Sequence, residues 1–258
     1  MRVFLLFIIL LYVPCVAFCN DAVAVIAHRG GAALGVENTL SCIEASIAAG
    51  ADAVEVDVRL TKDGHLVVFH DARVDALTGG KGKISDMTLG EVLALKLVGS
   101  EECSIPTLEQ VLALVAGRCV VLIDIKDAGT SFCGGERMLM NVIEACRAEE
   151  WVAVQSFNDG VLERLHELGA PFPLEKLIAF KVPFLPLVVD DGLRFFSLKR
   201  YGYVSSFNFG KRLFPAALAR KIRKRGKGVK VWTVSSPVEF SAGEVDGVIT
   251  DSPHLWKR

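Results

Sequence analysis

The chain has 258 residues, 52% of them hydrophobic, which is enough to bury one large core or two smaller ones. Its formal net charge is −1. This value argues against a nucleic-acid partner, because binding to phosphate backbones requires a broadly basic surface.

The first segment in chain order, residues 1–19, has the pattern of a secretory signal peptide. Arg2 precedes an apolar run over residues 3–13, Pro14 interrupts the run, and cleavage is expected after Ala17 or Cys19. The alternative is an uncleaved membrane anchor, although the run is shorter than the roughly 20 residues of a membrane-spanning helix. We therefore expect a secreted or lumenal protein of the secretory pathway, with membrane anchoring by this segment as the alternative.

The remainder, residues 22–258, alternates buried strands with amphipathic helices and is expected to form one domain. The predicted strands are 22–28, 53–60, 65–70, 119–126, 151–157, 176–181, 203–209 and 229–234. A helix is predicted to open at Asn38, a good N-cap. Further helices are expected at 88–97, 105–115, 138–150, 159–169 and 215–226. This order predicts an α/β fold, a TIM-like (β/α)₈ barrel.

Polar residues interrupt the predicted strands or stand at their ends. They are His28 and Arg29, Glu55 and Asp57, His70 and Asp71, and Asp124 and Lys126. Because a barrel of this type carries its active site at the carboxyl ends of its strands, these separate parts of the chain are expected to meet at one mouth.

Side-chain alternation along a strand places Glu55 and Asp57 on the same face. With Asp124 they would form three carboxylates in an apolar barrel, where repulsion and desolvation are costly. A divalent cation such as Mg²⁺ or Ca²⁺ removes that cost, since both prefer oxygen ligands. A cation with nearby imidazoles and basic side chains is suited to phosphate ester chemistry.

Structural explanations exist for each polar residue taken singly. A strand-end histidine or acid is usually a satisfied structural group, and two acids two residues apart can face solvent. The joint occurrence of such polar residues on four predicted strands instead favours an active site. The remaining histidines do not stand beside other polar residues at predicted strand ends, and we expect structural roles for them: His65, His166 and His254.

Three motifs together resemble the glycerophosphodiester phosphodiesterase family: AHRGG (27–31), ENT (37–39) and VEVDVRLTKDGHLVVFHD (54–71). The segments IPTLEQVL, LIDIK, VQSFN, VWTV and VDGVITDSP extend the likeness over residues 24–253. The resemblance implies a TIM-like barrel that uses a divalent metal to hydrolyse glycerophosphodiesters. The products are an alcohol and sn-glycerol 3-phosphate.

The resemblance also implies a role for each matching residue. His28 and His70 correspond to the acid/base pair, and Arg29 to a residue that contacts phosphate or orients the site. The metal ligands correspond to Glu55, Asp57 and Asp124, and the phosphate-binding cation to Lys126. Phe157 and Trp232 would line the pocket. The family usually has Glu where this chain has Asp124, whereas the related spider-venom phospholipase D enzymes have Asp there.

Two other functions remain open from the sequence. One is a lysophospholipase D or sphingomyelinase D-like activity on lipids. The predicted signal, Asp124 and the basic run 219–230 motivate it, and such a run can attract an anionic membrane surface or be a solvated helix end. The other is a catalytically idle binding domain. The expected partner is a glycerophosphodiester or a lysophospholipid, with peripheral membrane contact through residues 219–230 as a further expectation.

Overall fold

A computed structural model describes residues 22–99, 104–126, 132, 134–178, 180–181, 188–189 and 197–256. The predicted signal peptide, residues 1–19, lies outside the described residues. Within the described part, none of the helices has the length and apolar character needed to cross a membrane.

The strands form a closed parallel barrel with two additional pairings. They are β1 (Ala24–Ala27), β2 (Ala53–Leu60), β3 (Leu66–Val68), β4 (Val120–Ile125), β5 (Val152–Ser156), β6 (Leu174–Ile178), β7 (Phe180–Lys181), β8 (Val188–Val189), β9 (Ser206–Gly210), β10 (Gly228–Trp232) and β11 (Gly247–Thr250). Parallel pairing runs from β2 through β4, β5, β6, β9, β10 and β11 to β1, and β1 also pairs with β2. Eight strands therefore close the barrel, as predicted.

One predicted barrel strand was assigned wrongly. The segment predicted at 65–70 becomes β3, which is antiparallel to β2 and lies outside the barrel. The turn between β2 and β3 is too short for a parallel connection, which needs a crossover of a dozen or more residues. The eighth barrel strand is instead β11, within the segment that the sequence showed only as the closing part of the chain.

Six α-helices are described: α1 (Leu40–Ala48), α2 (Leu89–Leu93), α3 (Leu108–Val115), α4 (Gly135–Ala145), α5 (Asp159–Glu167) and α6 (Ala216–Arg223). The predicted N-cap of α1 was wrong by one residue. Thr39 is the cap, and its hydroxyl accepts the Cys42 backbone N–H. Asn38 has a left-handed φ of 58° and directs its amide elsewhere.

Alternation along the strands separates the core from the site. Val54, Val56 and Val58 of β2 are fully buried in a cluster that includes residues of α1, α3, α4 and α5. Glu55 and Asp57 alternate with them and are also buried, at 1% and 0% exposure. Because successive side chains point to opposite faces, packing the valines against helices directs both acids into the barrel.

Candidate active site

Residues from four parts of the chain meet at the carboxyl end of the barrel, as predicted. A cavity of about 210 Å³ opens there. Of the residues singled out from the sequence, those lining it are His28, Arg29, Glu55, His70, Asp124, Lys126, Phe157 and Trp232. Asp57 lies directly beside it, since its carboxylate contacts Lys126.

Glu55, Asp57 and Asp124 form one buried acidic cluster. Each offers a carboxylate oxygen within 4.8 Å of the others. Strand pairing explains this convergence, because Asp57 of β2 is the direct partner of Asp124 on β4 and Glu55 is two residues earlier on the same face. The predicted set of three acids is therefore brought together by barrel register.

The electrostatics of the cluster show how unfavourable three close carboxylates are. Burial, with the charge of Asp57 added to it, raises the pKa of Glu55 to about 8. Burial also raises the pKa of Asp124 to about 6. For Asp57 burial acts in the same direction, but the charge of Lys126 and a hydrogen bond from Asn38 outweigh it and lower its pKa.

A hard divalent cation fits this donor set. Asp124 Oδ1 is buried and has no hydrogen-bond partner among the described residues, so it keeps an unused ligand position. An oxygen-only set of convergent carboxylates is what Mg²⁺ and Ca²⁺ prefer. The identity of the three donors and the unused oxygen together support a cation site.

Lys126 forms ion pairs with two of the three acids. Its Nζ lies 3.0 Å from Asp57 Oδ1 and 2.7 Å from Asp124 Oδ2. Although burial alone would lower the pKa of Lys126, the facing carboxylates raise it above its ordinary value. The ammonium is thus held charged at the edge of the cavity.

The turn after β1 fixes His28 and Arg29. Arg29 has a left-handed φ of 51°, and its backbone N–H donates to Glu55 Oε2 at 2.8 Å. Gly31 is required in this turn, because its φ is +95° and a Cβ there would meet the Ser46 hydroxyl at 2.0 Å. The tight turn orients Glu55 through the main chain.

The two imidazoles are each oriented by an acid. His28 Nδ1–H donates to Asp251 Oδ1 at 2.6 Å, and His70 Nδ1–H donates to Asp71 Oδ1 at 2.7 Å. In both rings Nε2 is left as the atom available for proton transfer. The hairpin, rather than a parallel strand end, returns His70 to the mouth: Phe69 N–H donates to the Asp57 carbonyl.

The two imidazoles have opposite pKa shifts. Burial acts to lower the pKa of His28, but the hydrogen bond to Asp251 and the charges of Glu55, Asp251 and Asp57 outweigh it and raise the pKa. For His70, burial outweighs the opposing charge of Asp57 and lowers the pKa. Such a pair of shifted groups is typical of acid/base partners.

Phe157 and Trp232 form an aromatic wall of the cavity. Their rings meet edge to face at 84°, with centroids 5.8 Å apart. The indole Nε1–H donates to the Asn208 carbonyl at 3.1 Å, which fixes the ring plane. Both residues therefore line the pocket, as predicted.

Several supporting residues were not identified from the sequence. They are Glu37, which accepts two hydrogen bonds from Arg29, Asn38, Gln155 beside Glu55, and Asp251. All four lie in segments that carry the family resemblance, ENT, VQSFN and VDGVITDSP, but the sequence did not show what their side chains contact. Asn38 Nδ2–H donates to Asp57 Oδ2 at 2.8 Å while its Oδ1 accepts the Asp57 backbone N–H at 3.2 Å.

Asn38→Ala is expected to weaken binding of a divalent cation by about 10–100-fold, the usual cost of removing a group that orients a ligand. The reason is that Asn38 holds both the carboxylate and the backbone of Asp57. Calorimetric titration with Mg²⁺ and Ca²⁺ measures the change. Asn141→Ala, at an exposed position on α4, is the matched control. Equal affinities in the two variants would contradict the role of Asn38.

Comparison with known proteins places these features in a family context. The chain matches the model of the glycerophosphoryl diester phosphodiesterase family over residues 28–255. A glycerophosphodiester phosphodiesterase from Caldanaerobacter subterraneus subsp. tengcongensis is 33% identical over 242 residues, which is 89% of this chain and 94% of the relative.

Solved structures show the same barrel. A glycerophosphodiester phosphodiesterase from Thermotoga maritima superposes with a TM-score of 0.72 at 27% identity, covering 92% of this chain and 98% of that one. A phosphodiesterase from Oleispira antarctica, solved with the product sn-glycerol 3-phosphate, has a TM-score of 0.73 at 21% identity. The superposition on the Oleispira protein covers 90% of this chain and 94% of that one, and it shows that the two proteins share the fold.

Proposed function

This chain belongs to the glycerophosphoryl diester phosphodiesterase family, and on that basis we propose that it hydrolyses glycerophosphodiesters to an alcohol and sn-glycerol 3-phosphate. The observation that carries the proposal is the convergence of three buried carboxylates, two oriented imidazoles and a charged lysine on one cavity. The barrel, the family match and this donor set all favour the same chemistry.

Glu55, Asp57 and Asp124 are the proposed ligands of a divalent cation, either Mg²⁺ or Ca²⁺. When bound, such a cation neutralises phosphoryl oxygens and stabilises the charge that develops on them. The shorter side chain of Asp124 remains compatible with this role, because its carboxylate lies within reach of the other two acids.

Proton transfer is assigned to the imidazoles. We propose His70 as the general base that accepts a proton at Nε2 from the attacking group, since its lowered pKa keeps it neutral near pH 7. His28, whose pKa is raised, is the proposed general acid that donates from Nε2 to the leaving alcohol. Asp251 and Asp71 hold the rings so that Nε2 faces the reaction.

The remaining residues bind and orient the substrate. Lys126 is the proposed phosphate-binding cation, because it is charged and lines the cavity beside the acids. The Arg29 side chain is bound to Glu37 through Nη1 and its backbone positions Glu55, so we propose that it mainly orients the site. Phe157 and Trp232 would contact the glycerol or the alcohol moiety.

A substrate panel tests this function. Purified protein with Mg²⁺ or Ca²⁺ should convert glycerophosphocholine to choline and sn-glycerol 3-phosphate, the latter quantified with a coupled dehydrogenase. Lysophosphatidylcholine should react more slowly, because the described mouth cavity of about 210 Å³ is small for a substrate with an alkyl chain. Faster turnover of lysophosphatidylcholine would instead support the lipid-directed alternative, and no turnover of either would support an idle binding domain.

We also propose that the protein enters the secretory pathway. The support is the apolar run of residues 3–13 behind Arg2. N-terminal sequencing of the protein secreted by a eukaryotic host should begin at Phe18 or Asn20. Retention of Met1 in a membrane fraction would identify an anchor instead.

A further inference from the structure

A second cavity lies at the opposite end of the barrel from the proposed active site. It has a volume of about 620 Å³ and is bounded by the first halves of the strands. Barrel interiors are usually filled at every level by bulky branched side chains. Here the inward positions at this end include Ala53, Ala153, Ser206 and Gly228. These small residues leave space that the barrel does not fill.

The inner end of this cavity is closed by a buried polar chain. Lys230 Nζ lies 2.5 Å from Glu175 Oε1, and Asn208 Nδ2–H donates to Glu175 Oε2 and to Gln155 Oε1, both at 2.8 Å. Because the single charges of Glu175 and Lys230 neutralise each other, this end carries no net charge. This row of hydrogen-bonded polar side chains separates the second cavity from the mouth cavity, so the two cavities can bind different ligands.

The walls above this floor are apolar. Ile26, Ala53, Leu122 and Ala153 belong to one buried cluster inside the barrel, and all four line the cavity. The described lining contains no aromatic ring. A nucleobase or a sugar would therefore find no stacking surface here, whereas an alkyl chain would find matching apolar contacts.

The outer rim is basic. Arg220, Arg223, Lys224 and Lys227 line it, with Asp246 as the opposing acid. Arg223 is paired with Asp246 at 3.0 Å, and Lys227 donates to backbone carbonyls.

Arg220 and Lys224 have no ion pair or side-chain hydrogen bond among the described residues. They are exposed and lie one helical turn apart at the end of α6. Two available cations above an apolar cavity form an electrostatic complement to an anionic head group.

We propose that this cavity binds a single-chain anionic amphiphile. Its hydrocarbon chain would occupy the space lined by Ile26, Ala53, Leu122 and Ala153, and its carboxylate or phosphate would pair with Arg220 and Lys224. The volume lies within the range of about 300–1,000 Å³ typical of small-molecule sites. Part of the basic run 219–230, for which the sequence left both membrane contact and a solvated helix end open, is thereby assigned to the rim of a defined cavity.

Fluorescence titration of the full chain with cis-parinaric acid tests the proposal. Wild-type protein should bind the probe saturably, and palmitate or lysophosphatidic acid should displace it, whereas neutral hexadecanol should not. If palmitate alone competes, the head group is a carboxylate; if lysophosphatidic acid competes better, it is a phosphate. Either result supports the site. sn-Glycerol 3-phosphate should leave the probe bound, because it belongs to the other end of the barrel.

Two kinds of variant locate the site. Ala153→Phe fills the cavity, and the double variant Arg220→Glu with Lys224→Glu reverses the rim charge. Each variant should weaken probe binding by at least about ten-fold. A loss of this size is expected when a ligand loses a close charge pair, as in the rim variant, or its apolar contacts, as in Ala153→Phe. The matched control is Lys221→Glu with Arg225→Glu, which makes the same charge change at exposed residues outside the cavity. It should bind within about two-fold of wild type.

Three results would overturn the proposal. Equal weakening in the rim and control variants would indicate diffuse attraction to a charged surface such as a membrane. Unchanged binding in the rim variant would place the probe elsewhere, even if the Ala153 variant fails to fold. Lack of saturable binding by the wild-type full chain would mean that the cavity does not take up added amphiphiles.

Discussion

Glu55→Gln is expected to lower turnover of glycerophosphocholine by more than about 100-fold, and EDTA should have a similar effect on the wild-type protein. Removing a group that only orients a metal ligand already costs about 10–100-fold, and Glu55 is itself one of three proposed ligands. Gln keeps the size of the side chain but removes its negative charge. The cluster then has two carboxylates near Lys126, too little negative charge to hold a divalent cation firmly.

Calorimetry tests directly whether this loss of turnover accompanies a loss of cation binding. Glu55→Gln should show little binding of Mg²⁺ or Ca²⁺, whereas Glu150→Gln, at an exposed position, should bind like wild type. Because burial raises the pKa of Glu55 to about 8, protons compete with the cation below that pH. Affinity in the wild type should therefore fall as the pH is lowered from 8 to 6. EDTA-resistant activity together with unchanged binding by Glu55→Gln would refute the proposed cation site.

His28→Ala and His70→Ala are each expected to reduce kcat by about 10²–10⁴-fold, the usual contribution of a positioned acid or base. The His70→Ala variant lacks the proposed acceptor for the proton of the attacking group. The His28→Ala variant lacks the proposed proton donor to the leaving alcohol. Steady-state kinetics with glycerophosphocholine measure the effect. Both variants should retain cation binding, since neither imidazole belongs to the proposed ligand set.

His65→Ala serves as the control for these two variants. His65 is exposed in the turn region between β2 and β3, and its replacement should leave kcat within about two-fold of wild type. The assignments can also be tested separately with a substrate whose leaving group has a low pKa. Such a substrate should rescue His28→Ala more than His70→Ala, because an easily released alcohol needs less protonation. Full activity of both variants with glycerophosphocholine would contradict the assignment of the pair.

The barrel was predictable because its signals are local. Apolar runs alternate with helical patterns along the chain, and a parallel barrel is a common solution for that order. The failure at β3 has a physical cause. Apolar composition alone does not encode strand direction, and the short turn before β3 was the available indication of a hairpin. The segment that became β11 is only four residues long, which made it easy to overlook as a strand.

The amino-acid sequence by itself determined the chemistry of the mouth. Period-two alternation fixes Glu55 and Asp57 on one face of β2 whatever surrounds them, and the motifs identify the family. Only the tertiary structure decided which partners hold these groups. Asn38 meets Asp57 and His28 meets Asp251 across 223 residues of chain. The pKa shifts and the cavity at the far end depend on burial and on side chains from many strands. Both arise only when the closed barrel brings these strands together.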